Sequence, residues 1–391
     1  MKKISVVTAT RAEFGLLKPI IKELMKNKEF DVRIVVTGAH LSPEFGLTYQ
    51  EIEAAGFVID QKIECLLSAD SKAAITKTMG LAMMGFADYF ASLEPDLLLV
   101  LGDRYETLAV CIAAMNQQIP IAHLYGGETT EGAIDEAIRH AITKLSYLHF
   151  TSTESYRNRV IQLGEHPDRV FCVGAVGIEN VLNEALLSKE ELKKSLEWAI
   201  EKPYAVITFH PVTLEKNSAR EQMEQLLEAC EANKNLQYLF TKANADADGR
   251  VINQLLDEFA LHHENVKAYT SLGVARYLSA VKHCAFVMGN SSSGIVEAPS
   301  FFVPTINIGD RQKGRIQAES IINCEAKKES ILQAMELAMS PSFLEKTKQA
   351  RNPYGDGKTS EKIGKIIAEV FSKDAIQLKK KFYDLESKEN A

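Results

Sequence analysis

Ten short apolar runs, each ending in a polar or glycine-containing turn, constrain the fold of this chain more than any other feature. The first half contains ISVVTAT, VRIVVTG, LLLVLGD, IPIAHLYGG, YLHFTST and VFCVGAVG, and the second half contains YAVITFHP, YLFTKAN, CAFVMGNSSSG and TINIGDR. Amphipathic stretches with helical spacing separate many of these runs, as in residues 12–28. Nearly continuous apolar strands that alternate with helices indicate parallel sheets covered on both faces. The predicted fold class is therefore α/β, with doubly wound sheets.

A charged helical stretch, NEALLSKEELKKSLEWAIEKP, separates the two sets of runs. At 391 residues the chain is also too long for one ordinary core. We predict a Rossmann-like domain over residues 1–180, a second over 181–365, and a C-terminal helix and tail over 366–391. The charged tail is expected to be a solvated end. Because such sheets present ligand sites at the carboxyl ends of their strands, the cleft between the domains is the expected site.

Composition and residue spacing argue against several classes of partner, location and metal site. The formal net charge of −7 argues against a nucleic acid or an anionic membrane. No segment approaches the roughly 18 apolar residues of a membrane span, and MKKISVVTAT is typical of a first strand rather than a signal peptide. The six cysteines form no CxxC pair and are expected to be reduced thiols, which favours a cytoplasmic protein. The histidines show no spacing typical of metal ligands, and no metal site is predicted.

Carboxylates cluster after the run that ends in Gly126 and Gly127. Four of them, including Glu128 and Asp135, lie within nine residues, and Asp103 follows the preceding apolar run. Neighbouring carboxylates at strand ends can be held at different pKa values and so act as acid and base. The sequence therefore predicts an acid/base enzyme.

The stretch CAFVMGNSSSGIVEAP predicts a phosphate site in the second half. An apolar strand leads into Ser291 and Ser292, and a helix follows with Glu297 in about its first turn. Backbone N–H groups and small hydroxyls at such a turn bind phosphate, although a plain serine N-cap is the alternative. Arg311 is either a charge partner for a diphosphate or part of a solvated basic turn. The chain has neither a Walker A loop nor a GxGxxG motif in this stretch, which argues against a P-loop or NAD enzyme.

Three further strand ends carry candidate ligand contacts. Arg11 follows the first strand and either pairs with Glu13 or reaches the cleft. Arg104 follows Asp103 and likewise has either a local structural role or a position in the cleft. His210 opens the second domain at a strand end and is expected to face the cleft. The stretch FTKANADADGR looks like an acidic metal motif, but an N-cap is the simpler explanation of its last aspartate.

The motifs VTxTRAEFG, LGDRYE, GGETxxGAIDEAIRHAITK, FHPVT, GNSSSGIVEAP and INIGDRQKGR occur in the same order as in hydrolysing UDP-N-acetylglucosamine 2-epimerases of the sialic-acid pathway. Over residues 3–355 the chain resembles that family. The resemblance implies a GT-B-like fold that holds the nucleotide mainly in the second domain. It implies conversion of UDP-GlcNAc and water to N-acetylmannosamine and UDP, by anti-elimination to 2-acetamidoglucal and then hydration. It also implies that no cofactor is needed and that the chain forms a homodimer or homotetramer.

The resemblance also implies roles for particular residues, although it leaves open which carboxylate is the base and which the acid. Ser291 and Ser292 would hold the diphosphate, and Glu297 would accept hydrogen bonds from the ribose hydroxyls. The catalytic set is Asp103, Glu128 and Asp135, and the set that binds UDP is Arg11, Arg104, His210, Asn244, Ser291, Ser292, Glu297 and Arg311.

One position departs from the family pattern. Tyr125 stands where several relatives have a catalytic glutamate before the two glycines. Either Glu128 takes over that role, or the tyrosine reflects a different sugar, such as the UDP-2,4-diacetamido-2,4,6-trideoxyglucose of the legionaminic pathway. A non-hydrolysing epimerase, a GT-B glycosyltransferase and a nucleotide-sugar-binding regulator are further alternatives.

Overall fold

The computed structural model describes residues 1–67, 69, 71–131, 133–212, 218–243, 248–373 and 376–385. Among the predicted site residues, Asn244 lies outside these ranges.

Seven parallel strands form a sheet in the first half of the chain. They are β1 (Lys2–Thr8), β2 (Phe30–Thr37), β3 (Ile59–Ile63), β4 (Leu97–Leu101), β5 (Ile121–Leu124), β6 (Leu148–Thr151) and β7 (Val170–Cys172). Their order is β3-β2-β1-β4-β5-β6-β7. The helices of this half are α1 (Arg11–Lys26), α2 (Tyr49–Ala54), α3 (Lys72–Leu93), α4 (Tyr105–Asn116), α5 (Asp135–Leu145), α6 (Glu154–Gln162) and α7 (Val176–Asn183).

Six parallel strands form a second sheet. They are β8 (Tyr204–Thr208), β9 (Gln237–Thr241), β10 (Val266–Tyr269), β11 (Phe286–Gly289), β12 (Thr305–Ile308) and β13 (Ile321–Cys324), in the order β10-β9-β8-β11-β12-β13. The remaining helices are α8 (Lys189–Leu196), α9 (Ser218–Ala232), α10 (Gly249–His262), α11 (Gly273–His283), α12 (Ser292–Val296), α13 (Lys328–Met339), α14 (Pro341–Gln349) and α15 (Thr359–Ser372).

The order of the strands in each sheet determines where a ligand site can lie. In each sheet the chain starts in the middle, moves to one edge and then crosses to the other side, so β1 lies between β2 and β4, and β8 lies between β9 and β11. Such switch points leave a crevice at the carboxyl ends of the strands, because the following loops diverge. The central strands are buried on both faces, as in β4, where all five residues are buried. The predicted doubly wound α/β fold is confirmed.

Helix caps follow the local sequence. Thr10 and Glu13 form a capping box at the start of α1, and the Thr153 side chain accepts a hydrogen bond from the Tyr156 N–H at the start of α6. The helix predicted over residues 12–28 begins at Arg11 and ends at Lys26.

The end of the chain packs against the first sheet rather than standing free. Ile363 and Ile367 on α15 are fully buried in the same apolar cluster as Ile4 and Leu17. The Tyr383 N–H donates to the Gly164 carbonyl at 2.9 Å, so the segment 376–385 follows α15 along the surface of the first half. Most side chains of this segment are exposed, as expected of a solvated tail, but hydrogen bonds hold its backbone and Lys380 against the first half. The predicted domain limits at residues 180 and 365 fall inside α7 and α15, and the limits themselves stay a prediction.

Among the helices of the described ranges, none combines the length and the apolar composition needed to cross a membrane.

Candidate active site

A cavity of about 400 Å³ lies between the carboxyl edges of the two sheets. Loops after β1, β4 and β5 line one side of it, and loops after β8 and β11 line the other. Each predicted site residue within the described ranges contributes to its wall: Arg11, Arg104, Asp103, Glu128, Asp135, His210, Ser291, Ser292, Glu297 and Arg311. The structure thus brings together residues that lie up to 300 positions apart in the chain.

Asp103 is held by an arginine that the sequence analysis did not single out. It follows β4 and forms an ion pair with Arg139, whose side chain is only 1% exposed. Arg139 also donates to the Glu128 carbonyl at 2.9 Å and to Thr130 Oγ1 at 3.0 Å. Burial, followed by the repulsion of Arg315, lowers the pKa of Arg139. Because Arg139 lies one turn after Asp135 on α5, this helix connects two of the predicted catalytic carboxylates.

Glu128 receives partners from both halves of the molecule. Its side chain is buried, and Oε1 accepts a hydrogen bond from Ser152 Oγ at 2.6 Å. Its Oε2 lies 2.8 Å from Arg315 Nη1, which belongs to the loop after β12. Burial lowers the pKa of Arg315, but the attraction of Glu128 and of three neighbouring tyrosines together outweighs burial and raises it. Glu128 is therefore a fixed carboxylate at the meeting point of the two sheets.

The turn that precedes Glu128 contains Tyr125 and Gly127, and its geometry determines where Glu128 lies. Gly127 has a φ of +78°, and a Cβ there would lie 2.3 Å from the Tyr156 carbonyl oxygen, so only glycine fits. Tyr125 lines the cavity, and its hydroxyl accepts a hydrogen bond from the Val176 N–H at 2.9 Å. Burial raises the pKa of Tyr125, so its side chain is a neutral phenol. This position therefore presents a neutral aromatic ring to the cavity.

Gly289 and Asn290 shape the serine turn in the second half. A Cβ on Gly289 would lie 2.1 Å from the Thr208 carbonyl oxygen, so glycine permits the close approach of β11 to β8. The Asn290 side chain then accepts from the His210 N–H at 2.7 Å and donates to the His210 carbonyl at 2.8 Å. This reciprocal pair fixes His210 beside the turn that carries Ser291.

The serines of this turn have different partners. Ser291 is the N-cap of α12, and its side chain accepts a hydrogen bond from the Ser293 N–H. Ser293 donates to Glu297, and burial raises the pKa of Glu297 despite that hydrogen bond. The helix is only five residues long, so Glu297 lies at its end rather than in its first turn. Arg311 Nη1 donates to the Asn290 carbonyl at 3.2 Å, which places Arg311 next to the serine turn.

Arg11 and Arg104, the two first-half arginines predicted to bind the nucleotide, both form ion pairs with acidic side chains. Arg11 Nε lies 2.8 Å from Glu51 Oε2, whereas Glu13 accepts hydrogen bonds from the Ala9 and Thr10 N–H groups. Of the two alternatives for Arg11, the position in the cleft is therefore the one observed. Burial raises the pKa of Glu13 to about 7. Arg104 pairs with the buried Glu106.

Two doubly wound sheets that face each other across a ligand-sized cleft define a GT-B-like protein. The S. aureus MnaA–UDP complex has the same fold: its TM-score is 0.78 at 20% identity, and the match covers 99% of this chain and 100% of that one. The predicted GT-B-like fold is confirmed.

A family model described as UDP-N-acetylglucosamine 2-epimerase matches residues 22–368, and the chain belongs to this family. Three curated relatives align along nearly their whole length.

The GDP/UDP-N,N'-diacetylbacillosamine 2-epimerase (hydrolyzing) of Campylobacter jejuni is 44% identical over 98% of this chain and 99% of the relative. The polysialic acid biosynthesis protein P7 of Escherichia coli is 37% identical over 98% of each chain. The UDP-N,N'-diacetylbacillosamine 2-epimerase (hydrolyzing) of Legionella pneumophila is 34% identical over 95% of this chain and 96% of the relative. The predicted resemblance to hydrolysing 2-epimerases is confirmed, and the chain is an enzyme of that family.

Proposed function

We propose that this enzyme releases UDP from a UDP-activated 2-acetamido sugar and yields the free sugar epimerised at carbon 2. The observation that carries this proposal is the division of the cleft. Asp103, Glu128 and Asp135 line the side formed by the first sheet, and the serine turn and Arg311 line the side formed by the second. One side suits proton transfer at the sugar, and the other suits a departing diphosphate.

The chemistry would run in two steps. A base removes the proton from carbon 2 while UDP leaves carbon 1, so that a 2-acetamidoglucal forms. Water then adds across the new double bond, with a proton arriving at carbon 2 on the opposite face and hydroxyl at carbon 1. These steps need carboxyl groups in different protonation states, a role we assign to Asp103, Glu128 and Asp135.

The nucleotide would be held mainly by the second half. Ser291, Ser292 and Arg311 are proposed to bind the diphosphate, because they surround the same turn. Glu297 lies at the end of α12 and is proposed to accept hydrogen bonds from the ribose hydroxyls. We assign nucleotide contacts to Arg11, Arg104 and His210 as well, and to Asn244 from the sequence motif alone.

For the sugar, we favour UDP-N,N'-diacetylbacillosamine, a 2,4-diacetamido-2,4,6-trideoxy sugar, over UDP-GlcNAc. Two relatives that are 44% and 34% identical carry the name of that substrate. The ring of Tyr125 and the side chains of Leu16 and Leu101 give the cavity an apolar part. A sugar with a methyl group at carbon 5 and an acetamido group at carbon 4 matches such a wall better than one with hydroxyls.

The free product suits a pathway that makes a nonulosonic acid such as legionaminic or sialic acid. The relative named for polysialic acid biosynthesis supports a pathway of this kind. Assembly into dimers or tetramers and a cytoplasmic location stay predictions.

Proton NMR in deuterated water tests the reaction and the substrate together. The two UDP-sugars are supplied in parallel, and GDP-N,N'-diacetylbacillosamine serves as the nucleotide control. We expect release of UDP and a free 2-epimer that carries deuterium at carbon 2, formed faster from the diacetamido sugar. A faster reaction with UDP-GlcNAc would overturn the substrate assignment. A product that retains UDP would indicate a non-hydrolysing epimerase, and an unchanged spectrum with every sugar would refute the proposed reaction.

A further inference from the structure

The ion pair between Glu128 and Arg315 joins the two halves of the molecule inside the cavity. Glu128 follows β5 of the first sheet, and Arg315 follows β12 of the second. Their side chains are 3% and 8% exposed, and 2.8 Å separates Oε2 from Nη1. Because β5 and β12 belong to different sheets, this ion pair crosses from one half of the molecule to the other.

The segment around Arg315 is shaped to lie against the carboxylate turn. Arg315 Nε donates to the Thr129 carbonyl at 3.2 Å. Gly314 has a φ of +83°, and a Cβ there would lie 2.9 Å from Thr129 Oγ1 and 2.8 Å from Glu131 Oε1. A side chain at Gly314 would therefore push Arg315 away from Glu128.

A second cross-cleft ion pair offers a contrast. Arg250 on α10 binds Glu44 in a bidentate arrangement, with N···O distances of 2.8 and 2.9 Å. Both side chains are well exposed, and such pairs contribute little. The Glu128–Arg315 pair is buried, so removal of either partner leaves the other charged group out of water without compensation. The two pairs thus connect the same two halves with very different consequences.

We propose that Arg315 is a positioning residue that completes the carboxylate side of the active site only when the cleft is closed. The second half carries the nucleotide-binding turn and also carries Arg315. Closure over the nucleotide therefore brings the guanidinium to Glu128 and fixes the carboxylate at the sugar. The proton-transfer site is assembled after the substrate is enclosed, which keeps the glucal intermediate away from bulk water. This inference rests on the proposed function, because it takes Glu128 to be catalytic.

Two variants of Arg315 and one matched control test the proposal. Arg315→Met removes the ion pair, Arg315→Lys keeps a cation, and Arg250→Met breaks the exposed pair across the same cleft. We expect Arg315→Met to lower kcat about 100-fold, the loss typical of a displaced catalytic group. Its Kd for UDP, measured by calorimetry, should rise far less than kcat falls, because the lost pair weakens closure while every proposed contact to UDP remains. Arg315→Lys should recover part of kcat, and Arg250→Met should keep kcat within about twofold, as for exposed pairs.

Two further readouts separate positioning from a structural role. Small-angle X-ray scattering with and without UDP should show compaction of the wild type and of Arg250→Met, and weaker compaction of Arg315→Met. NMR should detect more free 2-acetamidoglucal with Arg315→Met, because the incompletely closed cleft releases it.

Two results would overturn the proposal: an unchanged kcat in Arg315→Met, or a loss of UDP affinity parallel to the loss of kcat. If Arg315→Met does not fold, as judged by circular dichroism, Arg315→Lys decides by the same criteria. If wild-type enzyme turns over neither sugar, the proposed function fails. Scattering still tests the coupling of the Glu128–Arg315 ion pair to closure, because equal compaction of wild type and Arg315→Met would refute it.

Discussion

Replacement of Lys380 by methionine should loosen the far end of helix α5. Lys380 is the middle one of three consecutive lysines, and its Nζ donates to the carbonyls of Lys144 and Ser146 at 2.8 and 2.6 Å. It also lies 3.0 Å from Glu165 Oε2. These contacts place a cation at the carboxyl end of α5, where the unpaired carbonyls concentrate negative charge. The first residue of the same helix is Asp135 in the cavity.

The expected cost follows from the contacts that are lost and kept. Hydrogen bonds to charged groups contribute about 1.5–3 kcal/mol each, but Glu165 keeps Lys144 and His149 as partners. Burial lowers the pKa of Lys380 despite the attraction of Glu165, so desolvation offsets part of the gain. The side chain is 22% exposed, and water can reach the freed carbonyls. We therefore expect a net loss of about 2 kcal/mol in the local opening free energy, or roughly 30-fold in the opening equilibrium.

Hydrogen exchange followed by mass spectrometry measures that equilibrium segment by segment. Amides of residues 140–147 and 376–385 should exchange roughly 30-fold faster in Lys380→Met, as the free-energy loss requires. Lys379→Met and Lys381→Met are matched controls, since both side chains are exposed, and they should leave exchange unchanged. Equal effects of all three substitutions, or none for Lys380→Met, would refute the reasoning.

Three further predictions concern the site and its support. Asp103→Asn should lower kcat by about 10²–10⁴-fold, as for a lost general acid or base, and keep the Kd for UDP within a few fold. If calorimetry showed a parallel loss of UDP binding, the role of Asp103 at the sugar would be contradicted. Ser291→Ala combined with Ser292→Ala should weaken UDP binding by about 1–3 kcal/mol per lost charge-assisted bond, so an unchanged affinity would remove the phosphate assignment. Burial opposes the charge of Glu165, but hydrogen bonds from His149 and Lys144 prevail and lower its pKa to about 2. Its stabilising contribution is therefore complete above its unfolded pKa of about 4.3 and is lost as pH falls toward 2, so urea unfolding between pH 5 and 3 should show a weaker pH dependence in Glu165→Gln.

The strands that the sequence analysis found and those it missed differ in their place in the sheets. All ten apolar runs became strands, and they include every central strand. The missed strands are β3, β10 and β13, and all three are edge strands. An edge strand is covered by fewer neighbours, so its side chains need not be apolar. In β3, for example, the sequence IDQKI has two exposed residues in the middle.

The sequence predicts those residues of the candidate site that follow closely on an apolar strand. Asp103 and His210 stand directly after or near apolar strands, and parallel strands bring their carboxyl ends to one edge. The roles of Arg139 and Arg315 were not predicted, because they depend on which carboxylates the folded chain places opposite them. Arg315 in particular meets Glu128 across two sheets and 187 positions of sequence. Local patterns carry no information about such a pairing.

Helix α15 completes the core of the first half late in synthesis on the ribosome. Ile363 and Ile367 fill the core beneath the first sheet, yet they are translated after the entire second sheet. At about 5–20 residues per second, the interval between the end of α7 and α15 is roughly 10–40 s. Throughout that interval the apolar groove around Leu17 and Ile20 is open on the nascent chain. The first half thus lacks part of its core until α15 has been synthesised.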